Sequence, residues 1–381
     1  MAEPTSPADG PPVDDLTSVF SVYETRTDGD RLLYFGEPLV AADELERAVY
    51  PLFDGAGYSV SLRTRYVPDE GGPPAVGEYV LVAEPKSTGV EGFPRTNVIL
   101  ALATVATTLF VGAIWYGAGS LSDPFAILTD PAAIAQGWPF SAAVLGVVGI
   151  HELGHYVMSR YHDVDASLPY LIPMPNAFGT WGAVIKMKGR IPDREALFDI
   201  GVAGPLAGLV ATLVVTVIGL HLPPVTNPWP YQFNNPPLLQ LIGAVVGQPT
   251  TFADPDLVVN PVAFGGWIGM LLTFINLLPV GQLDGGHMVR AMLGERQETI
   301  AAAVPAGLFA VAGYLYFVQG ISIQNSVTIW ILWGLLTLVV AYAGPAQPIS
   351  DEALDWKRKA VGVLTFVVGL LCFTPVPFTI V

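Results

Sequence analysis

The sequence predicts a mainly α-helical bundle of about seven membrane spans, preceded by a small soluble α+β domain. Three observations predict this fold class: 52% of the 381 residues are hydrophobic, only 13% are charged, and the mean hydropathy is +0.51. Soluble domains carry about 25% charged residues. The composition is therefore typical of a polytopic membrane protein.

The first 95 residues are far more polar than the rest and hold 17 acidic against 7 basic residues. Residues 1–15 are rich in Pro and Asp and lack a signal peptide, so we expect a disordered tail there. Residues 16–95 combine alternating strand patterns with a helical pattern over 42–53, which predicts an α+β domain. So acidic a surface disfavours nucleic acid as a partner.

A membrane-embedded domain is predicted over residues 96–381. Most of its apolar segments approach the ~20 residues that cross the hydrocarbon core. They must be helical, because lipid offers backbone groups no hydrogen-bond partner. The seven segments are 97–117, 139–160, 199–220, 261–279, 299–319, 326–344 and 360–377.

The basic residues predict how this bundle is oriented. In a strictly alternating seven-span arrangement, all 17 Lys and Arg residues fall on one side, including the seven of the N-terminal domain. The positive-inside rule then places that domain in the cytoplasm and the C-terminus outside, with the chain as a multi-pass protein of the cell membrane.

The second segment contains His-Glu-Leu-Gly-His at positions 151–155. His151 and His155 are four residues apart and share one helical face, so both imidazoles can reach a single zinc ion. Glu152 lies beside the metal, where it can act as a general base. A purely structural polar cluster is the alternative, but such groups are costly in lipid unless they pair or bind something.

A catalytic zinc needs a third protein ligand. His162 and His221 lie at segment ends, and His287 lies close to a better candidate, Asp284. Asp284 belongs to the Pro- and Gly-rich stretch 276–286, where the helix must break. Broken backbone at membrane depth is either buried in protein or lines a wet cavity, so a carboxylate there is well placed to meet the metal. A helix N-cap is the alternative role for Asp284.

Two motifs together resemble the site-2 protease family of intramembrane zinc metalloproteases: His-Glu-Leu-Gly-His, and Asn-x-x-Pro-x-x-x-Leu-Asp-Gly-Gly at 276–286 in a later span. The resemblance covers about residues 97–345 and includes the stretches 178–184 and 204–208. The N-terminal domain and the stretch 193–199 are most similar to the branch of archaea, cyanobacteria and plastids. The loop 221–260 is too short for the PDZ-type domain of many bacterial members.

The resemblance implies one Zn2+ per chain, bound by His151, His155 and Asp284, with Glu152 as the general base. It places Asn276 near the site, where the amide would steady substrate or oxyanion; a helix–helix hydrogen bond is an equal alternative for this residue. The implied activity is peptide-bond hydrolysis in or next to transmembrane segments of membrane-anchored substrates, as in regulated intramembrane proteolysis. The implied partners are a membrane-spanning protein substrate and the lipid bilayer.

Two alternatives to a protease are a membrane transporter and an inactive membrane scaffold. Broken spans with polar residues also mark transport paths, but the sequence has no visible inverted repeat. A scaffold would usually have lost Glu152 or a ligand.

The loop 160–198 carries one further prediction. Residues 180–188 alternate in a way that predicts a strand able to pair with an unwound substrate. A membrane-skimming loop is the alternative.

Overall fold

The computed structural model describes residues 10–66, 75–86, 93–118, 124–187 and 190–380. The chain divides into two compact units. The first is Met1–Glu91 with Lys188–Arg190, and the second is Gly92–Met187 with Ile191–Val381.

The first unit is a four-stranded antiparallel sheet with the helix Ala42–Gly55 packed on it, and its strands lie in the order Phe20–Asp28, Arg31–Pro38, Ala75–Pro85 and Tyr58–Tyr66. Its apolar core joins Leu45, Val49 and Phe53 of the helix to Phe20 and Tyr34 of the sheet, as the helical and strand periodicities require. The elements are α1 (Val13–Leu16), β1 (Phe20–Asp28), β2 (Arg31–Pro38), α2 (Ala42–Gly55), β3 (Tyr58–Tyr66) and β4 (Ala75–Pro85).

Only the last part of the disordered tail predicted over residues 1–15 lies within the described ranges. Residues 1–9 lie outside the described ranges. At Val13 the prediction is wrong, because Val13 and Leu16 are buried in the core of the sheet and α1 forms one helical turn there. Burial of these two apolar side chains, three residues apart, is enough to hold so short a segment in place.

The second unit is mainly helical. Pro124–Thr129 forms a 3-10 turn, and the π-helical turns Tyr314–Val318 and Ile323–Val327 extend α10 and precede α11. The elements are α3 (Arg95–Trp115), α4 (Pro131–Ala135), α5 (Trp138–Tyr161), β5 (Tyr170–Pro173), β6 (Thr180–Val184), α6 (Arg194–Leu220), β7 (Val225–Thr226), β8 (Tyr231–Phe233), α7 (Pro237–Val246), β9 (Leu257–Val258), α8 (Pro261–Asn276), α9 (Asp284–Leu293), α10 (Arg296–Gly313), α11 (Thr328–Ala343), α12 (Trp356–Leu371) and β10 (Phe378–Ile380).

Five helices in the described ranges are long and apolar enough to cross a membrane: Arg95–Trp115, Trp138–Tyr161, Arg194–Leu220, Arg296–Val318 and Ile323–Ala343. The predicted count of seven is not confirmed. The predicted spans 261–279 and 360–377 contain α8 and α12, which have 16 residues each. At ~1.5 Å per residue such a helix is about 24 Å long, less than the ~30 Å hydrocarbon core.

Helices α5, α6 and α8 form the centre of this unit, and small residues let them approach closely. A Cβ atom on Gly154 would lie 2.5 Å from the carbonyl oxygen of Ala203 across the α5–α6 contact. Between α5 and α8, a Cβ on Gly269 would lie 2.7 Å from the Val147 side chain. Close backbone approach through Gly and Ala is how helices associate in lipid, where apolar burial gives no driving force.

The segment after α5 runs back along α3 as a hairpin, rather than remaining at one end of the bundle. Asn97 donates to the carbonyl oxygens of Leu168 and Pro169, at 2.9 and 3.0 Å, near the start of α3. Trp115, at the other end of α3, donates to the carbonyl of Ala177 at 3.0 Å. These two anchor points are about 27 Å apart along the helix. Strands β5 and β6 form the antiparallel arms of the hairpin.

Candidate metal centre

The paired histidines of α5 converge as their spacing predicts. Their ring nitrogens Nε2 lie 3.2 Å apart, on one face of the helix. His151 is 8% exposed and belongs to the buried set of α5 residues, together with Glu152. Two imidazole nitrogens turned toward each other inside a helix bundle repel unless a proton or a cation lies between them.

Asp284 joins the two histidines from a different part of the chain. One carboxylate oxygen lies 3.2 Å from Nε2 of His155 and the other lies 3.3 Å from Nε2 of His151. Asp284 is the first residue of α9, and the N-cap position of this helix is occupied by Leu283. The structure therefore does not support the alternative role of Asp284 as an N-cap.

The turn before α9 gives Asp284 its position. A Cβ atom on Gly285 or Gly286 would collide with the carbonyl oxygens of Leu277 and Gly281, respectively. Only glycine lets the first turn of α9 pack so closely on the backbone that follows α8.

The three ligand atoms fit a zinc ion. Zinc bonds of about 2.0–2.2 Å in a tetrahedral arrangement separate neighbouring ligand atoms by about 3.3–3.5 Å. The separation of 3.2 Å between the two imidazole nitrogens is close to these values, and each of these nitrogens lies 3.2 or 3.3 Å from one of the two Asp284 oxygens. Among the described residues, His151, His155 and Asp284 are the one group of three such side chains whose ligand atoms lie within 4.8 Å of one another. Two imidazoles with one carboxylate are a donor set typical of catalytic zinc.

The ring of His155 is oriented by the neighbouring helix α6. Its Nδ1 atom lies 2.8 Å from the carbonyl oxygen of Ile200. A carbonyl can only accept, so Nδ1 carries the proton and donates. In the neutral ring Nε2 then has a free lone pair directed at the cluster. A backbone carbonyl that selects the tautomer in this way is the usual outer support of a metal-bound histidine.

Two glycines of α6 make room for the imidazoles. A Cβ atom on Gly204 would occupy the position of His155 Nε2, and one on Gly208 would lie 2.9 Å from Nδ1 of His151. The pair is four residues apart, so both face α5. This contact gives a physical reason for the Gly-Pro-Leu-Ala-Gly stretch at 204–208.

A cavity of about 60 Å³ adjoins the cluster. This volume holds a few water molecules, because one water needs about 10–15 Å³ on this measure. Its lining includes Glu152 and Asn276, the central part of β6 and apolar residues of α5 and α8. The amide nitrogen of Asn276 lies 3.3 Å from Nε2 of His151, at the end of α8.

The three remaining histidines lie apart from the ligand cluster in different ways. His162 donates to the carboxylate of Asp199 at 3.0 Å, and His221 is exposed and bonds the carbonyl of Val217. His287 is 5% exposed, and its Nε2 atom has no hydrogen-bond partner in the described structure. The sequence does not predict the contact of His155 with the Ile200 carbonyl, because every residue has a backbone acceptor. It also does not predict the contact of His162 with the Asp199 side chain, 37 residues away in the chain.

The fold and this site define a class: a polytopic membrane protein with three side chains that could bind a metal ion and an adjacent buried glutamate. The model of peptidase family M50, the site-2 protease family, matches residues 139–318. This match confirms the resemblance predicted from the two motifs. The matched region begins with α5 and includes all three residues of the cluster.

Several curated plant proteins are similar to this chain. It is 31% identical over 243 residues to the "Probable zinc metalloprotease EGY1, chloroplastic" of Arabidopsis thaliana, covering 61% of this chain and 42% of the relative. It is 27% identical over 238 residues to the corresponding EGY2 protein of Oryza sativa subsp. indica, covering 61% and 41%. An Arabidopsis EGY2 protein matches at 25% over 355 residues, covering 90% and 59%. The chain thus spans about half the length of these relatives.

Proposed function

We propose that this chain is an intramembrane zinc metalloendopeptidase that hydrolyses peptide bonds in or next to transmembrane segments of membrane-anchored proteins. The observation that carries the proposal is the convergence of His151, His155 and Asp284, whose ligand atoms lie within 4.8 Å of one another, beside the buried Glu152. The family match and the names of the plant relatives point the same way.

The residues of the site have three different roles in the proposed hydrolysis: metal binding, proton transfer and hydrogen bonding to the substrate. When bound by the two histidines and Asp284, zinc supplies a Lewis acid that activates water and polarises a carbonyl. Glu152 lies in the same cavity, where it accepts the proton of the attacking water and passes it to the leaving amine. A histidine nitrogen that binds a metal cannot also accept a hydrogen bond, so the Asn276 amide is then free to donate toward the substrate carbonyl.

The depth of the site supports cleavage inside the bilayer. His151 lies ten residues before Tyr161 and thirteen after Trp138, or about 15 and 20 Å along α5. Both aromatic residues are exposed at the ends of the helix, where such side chains mark the membrane interfaces. The centre therefore lies near the middle of the span.

Strand β6 is suited to bind an unwound substrate. It pairs with β5 on one edge, and no other described strand pairs with it. Trp181, Gly182 and Ala183 of this strand line the cavity next to Glu152. A substrate segment that pairs with the free edge would present its carbonyl groups at the site while its backbone remains hydrogen-bonded.

The arrangement of the chain in the membrane is part of the proposal. Arg358 near the start of α12 bonds Asp199 near the start of α6, whereas β10 pairs with β8, beyond the far end of α6. This supports a crossing by residues 356–380. The broken pair α8–α9 supplies another, which gives seven crossings in all. We place the α+β domain, residues 16–95, in the cytoplasm and the enzyme in the cell membrane.

Substitution of the proposed base tests this function. In purified Glu152→Gln protein we expect one zinc per chain and cleavage of a model transmembrane substrate reduced about 10²–10⁴-fold, because only the proton transfer is removed. The matched control is Glu298→Gln, which neutralises an exposed carboxylate on α10. Undiminished cleavage by Glu152→Gln would exclude the proposed chemistry.

A further inference from the structure

A partly buried polar network lies one residue away from the carbonyl that orients His155. Asp199 of α6 precedes Ile200 directly. Its two carboxylate oxygens accept from the Nε and a terminal nitrogen of Arg358 at 2.8 and 3.0 Å. Nε2 of His162 lies 3.0 Å from the second oxygen and donates to it, because an ionised carboxylate only accepts.

This network joins three elements at one point. His162 caps the C-terminal end of α5, Asp199 belongs to the second turn of α6, and Arg358 belongs to the first turn of α12. The Asp199 and His162 side chains are only 18% and 16% exposed. A two-point arginine–carboxylate pair fixes orientation as well as distance, which a single contact does not.

Helices α5 and α6 also contact each other at His155, one of the three proposed ligands. His155 and His162 are seven residues apart, two helical turns, and both bond the 199–200 segment of α6. The carbonyl of Ile200 accepts from His155 Nδ1 at 2.8 Å, and this bond selects the tautomer of the ring. Any displacement of residue 199 along or around α6 moves this carbonyl and therefore the imidazole.

We propose that Asp199 and Arg358 are positioning residues for His155: they hold the Ile200 carbonyl where it orients the imidazole toward the metal. The inference rests on the proposed function, since it takes the His151–His155–Asp284 cluster as a zinc centre. It assigns a role to α12, which lies beyond the residues 139–318 that match the family.

Arg358 also neutralises the other carboxylates around it. One terminal nitrogen lies 2.7 Å from Asp355 and 3.0 Å from Glu195. Without the guanidinium, three carboxylates would face one another next to α6, and their repulsion would move Asp199 away from its present place. Removal of Arg358 therefore has a stronger effect on the position of Asp199 than the loss of two hydrogen bonds alone.

Metal binding by full-length variants tests the inference. For Arg358→Met and for Asp199→Asn we expect zinc affinity, measured by competition with a chelator, to fall about tenfold. Arg358→Lys keeps the charge but not the two-point geometry, and we expect it to recover part of the loss. The matched control is Lys357→Met, which removes an exposed cation from the same turn of α12 and should bind zinc as the wild type does.

The absorption spectrum of the cobalt-substituted protein separates positioning from stability. We expect the ligand-field bands of Arg358→Met to shift or weaken well below its melting temperature, because the imidazole has rotated. An unchanged spectrum with a lower melting temperature would overturn the inference, as would variants that bind zinc like Lys357→Met. A wild type that binds neither zinc nor cobalt would overturn the proposed function, and this inference with it.

Discussion

At the scale of single residues, the proposed metal centre depends on two glycines of α6 as well as on its ligands, because these glycines leave room for the imidazoles. His155 is held at both ring nitrogens, by the Ile200 carbonyl and by the ligand cluster. Its ring can lie flat against α6 only because Gly204 has no side chain. The imidazole is therefore held at both of its nitrogens and lies close to α6.

A single methyl group at this contact should destroy the site. In Gly204→Ala, the new Cβ would take the place of His155 Nε2, so the ring must rotate out of the cluster. We expect zinc content near zero per chain and a stability cost of about 1–3 kcal/mol, which is usual for overpacking.

The control for this prediction is Gly149→Ala on α5, where the new Cβ meets no atom within 4 Å. Zinc content and melting temperature of purified protein measure both effects. Equal zinc content in the two variants would contradict the close contact between α6 and His155.

At the scale of elements, the hairpin β5–β6 places one of its two strands, β6, at the cavity next to Glu152. Leu171 of β5 pairs with Ala183 of β6. The neighbouring Gly182 has a φ of +93°, a backbone conformation that residues other than glycine rarely adopt. This turn of the backbone brings residues 181–183 to the cavity. The hairpin is supported by α3, through Thr107 Oγ1, which donates to the Gly179 carbonyl at 2.8 Å.

A proline in β6 should prevent substrate binding without affecting metal binding. Ala183→Pro removes a backbone N–H and stiffens the strand, so we expect cleavage to be lost while zinc stays at one per chain. Cleavage of a transmembrane substrate and zinc content are measured on the same preparation.

Ile172→Pro on the opposite arm is the comparison, because the register of β5 is interrupted there. We expect it to retain much of its activity. Equal loss in both variants would mean that the hairpin as a whole matters, rather than the edge of β6.

At the scale of the whole molecule, the membrane unit is held together at both ends by polar contacts between distant segments. Arg194 bonds Asp351 at 2.7 Å, and Arg358 bonds Asp199, at the end that carries the basic residues. At the other end, Trp330 donates to the Pro375 carbonyl and β10 pairs with β8. The two ends of the unit are therefore distinguishable by their polar contacts.

Cysteine labelling should reveal the proposed orientation. In a Cys372→Ala background, which removes the only cysteine of the sequence, Asp254→Cys should react in intact cells with a membrane-impermeant maleimide. Glu44→Cys and Glu352→Cys should react only after the membrane is opened. All three positions are exposed. The reverse pattern would contradict the cytoplasmic placement of the N-terminal domain.

Several features followed from local sequence alone. His151 and His155 share a face because they are four residues apart on a helix, and composition alone required long apolar helices. Five of the predicted spans are such helices. The strand within the loop 160–198 was also foreseen in part, because β6 covers Thr180–Val184 of the predicted 180–188.

Other features were decided only by the tertiary structure. The sequence made Asp284 a candidate, but its distance from the histidines depends on how α9 packs after the break that ends α8. The course of the hairpin along α3 and the link from Arg358 to Asp199 join segments far apart in the chain. Hydrophobic periodicity reports which residues are buried and not against which partner, so long-range packing alone brings these groups together.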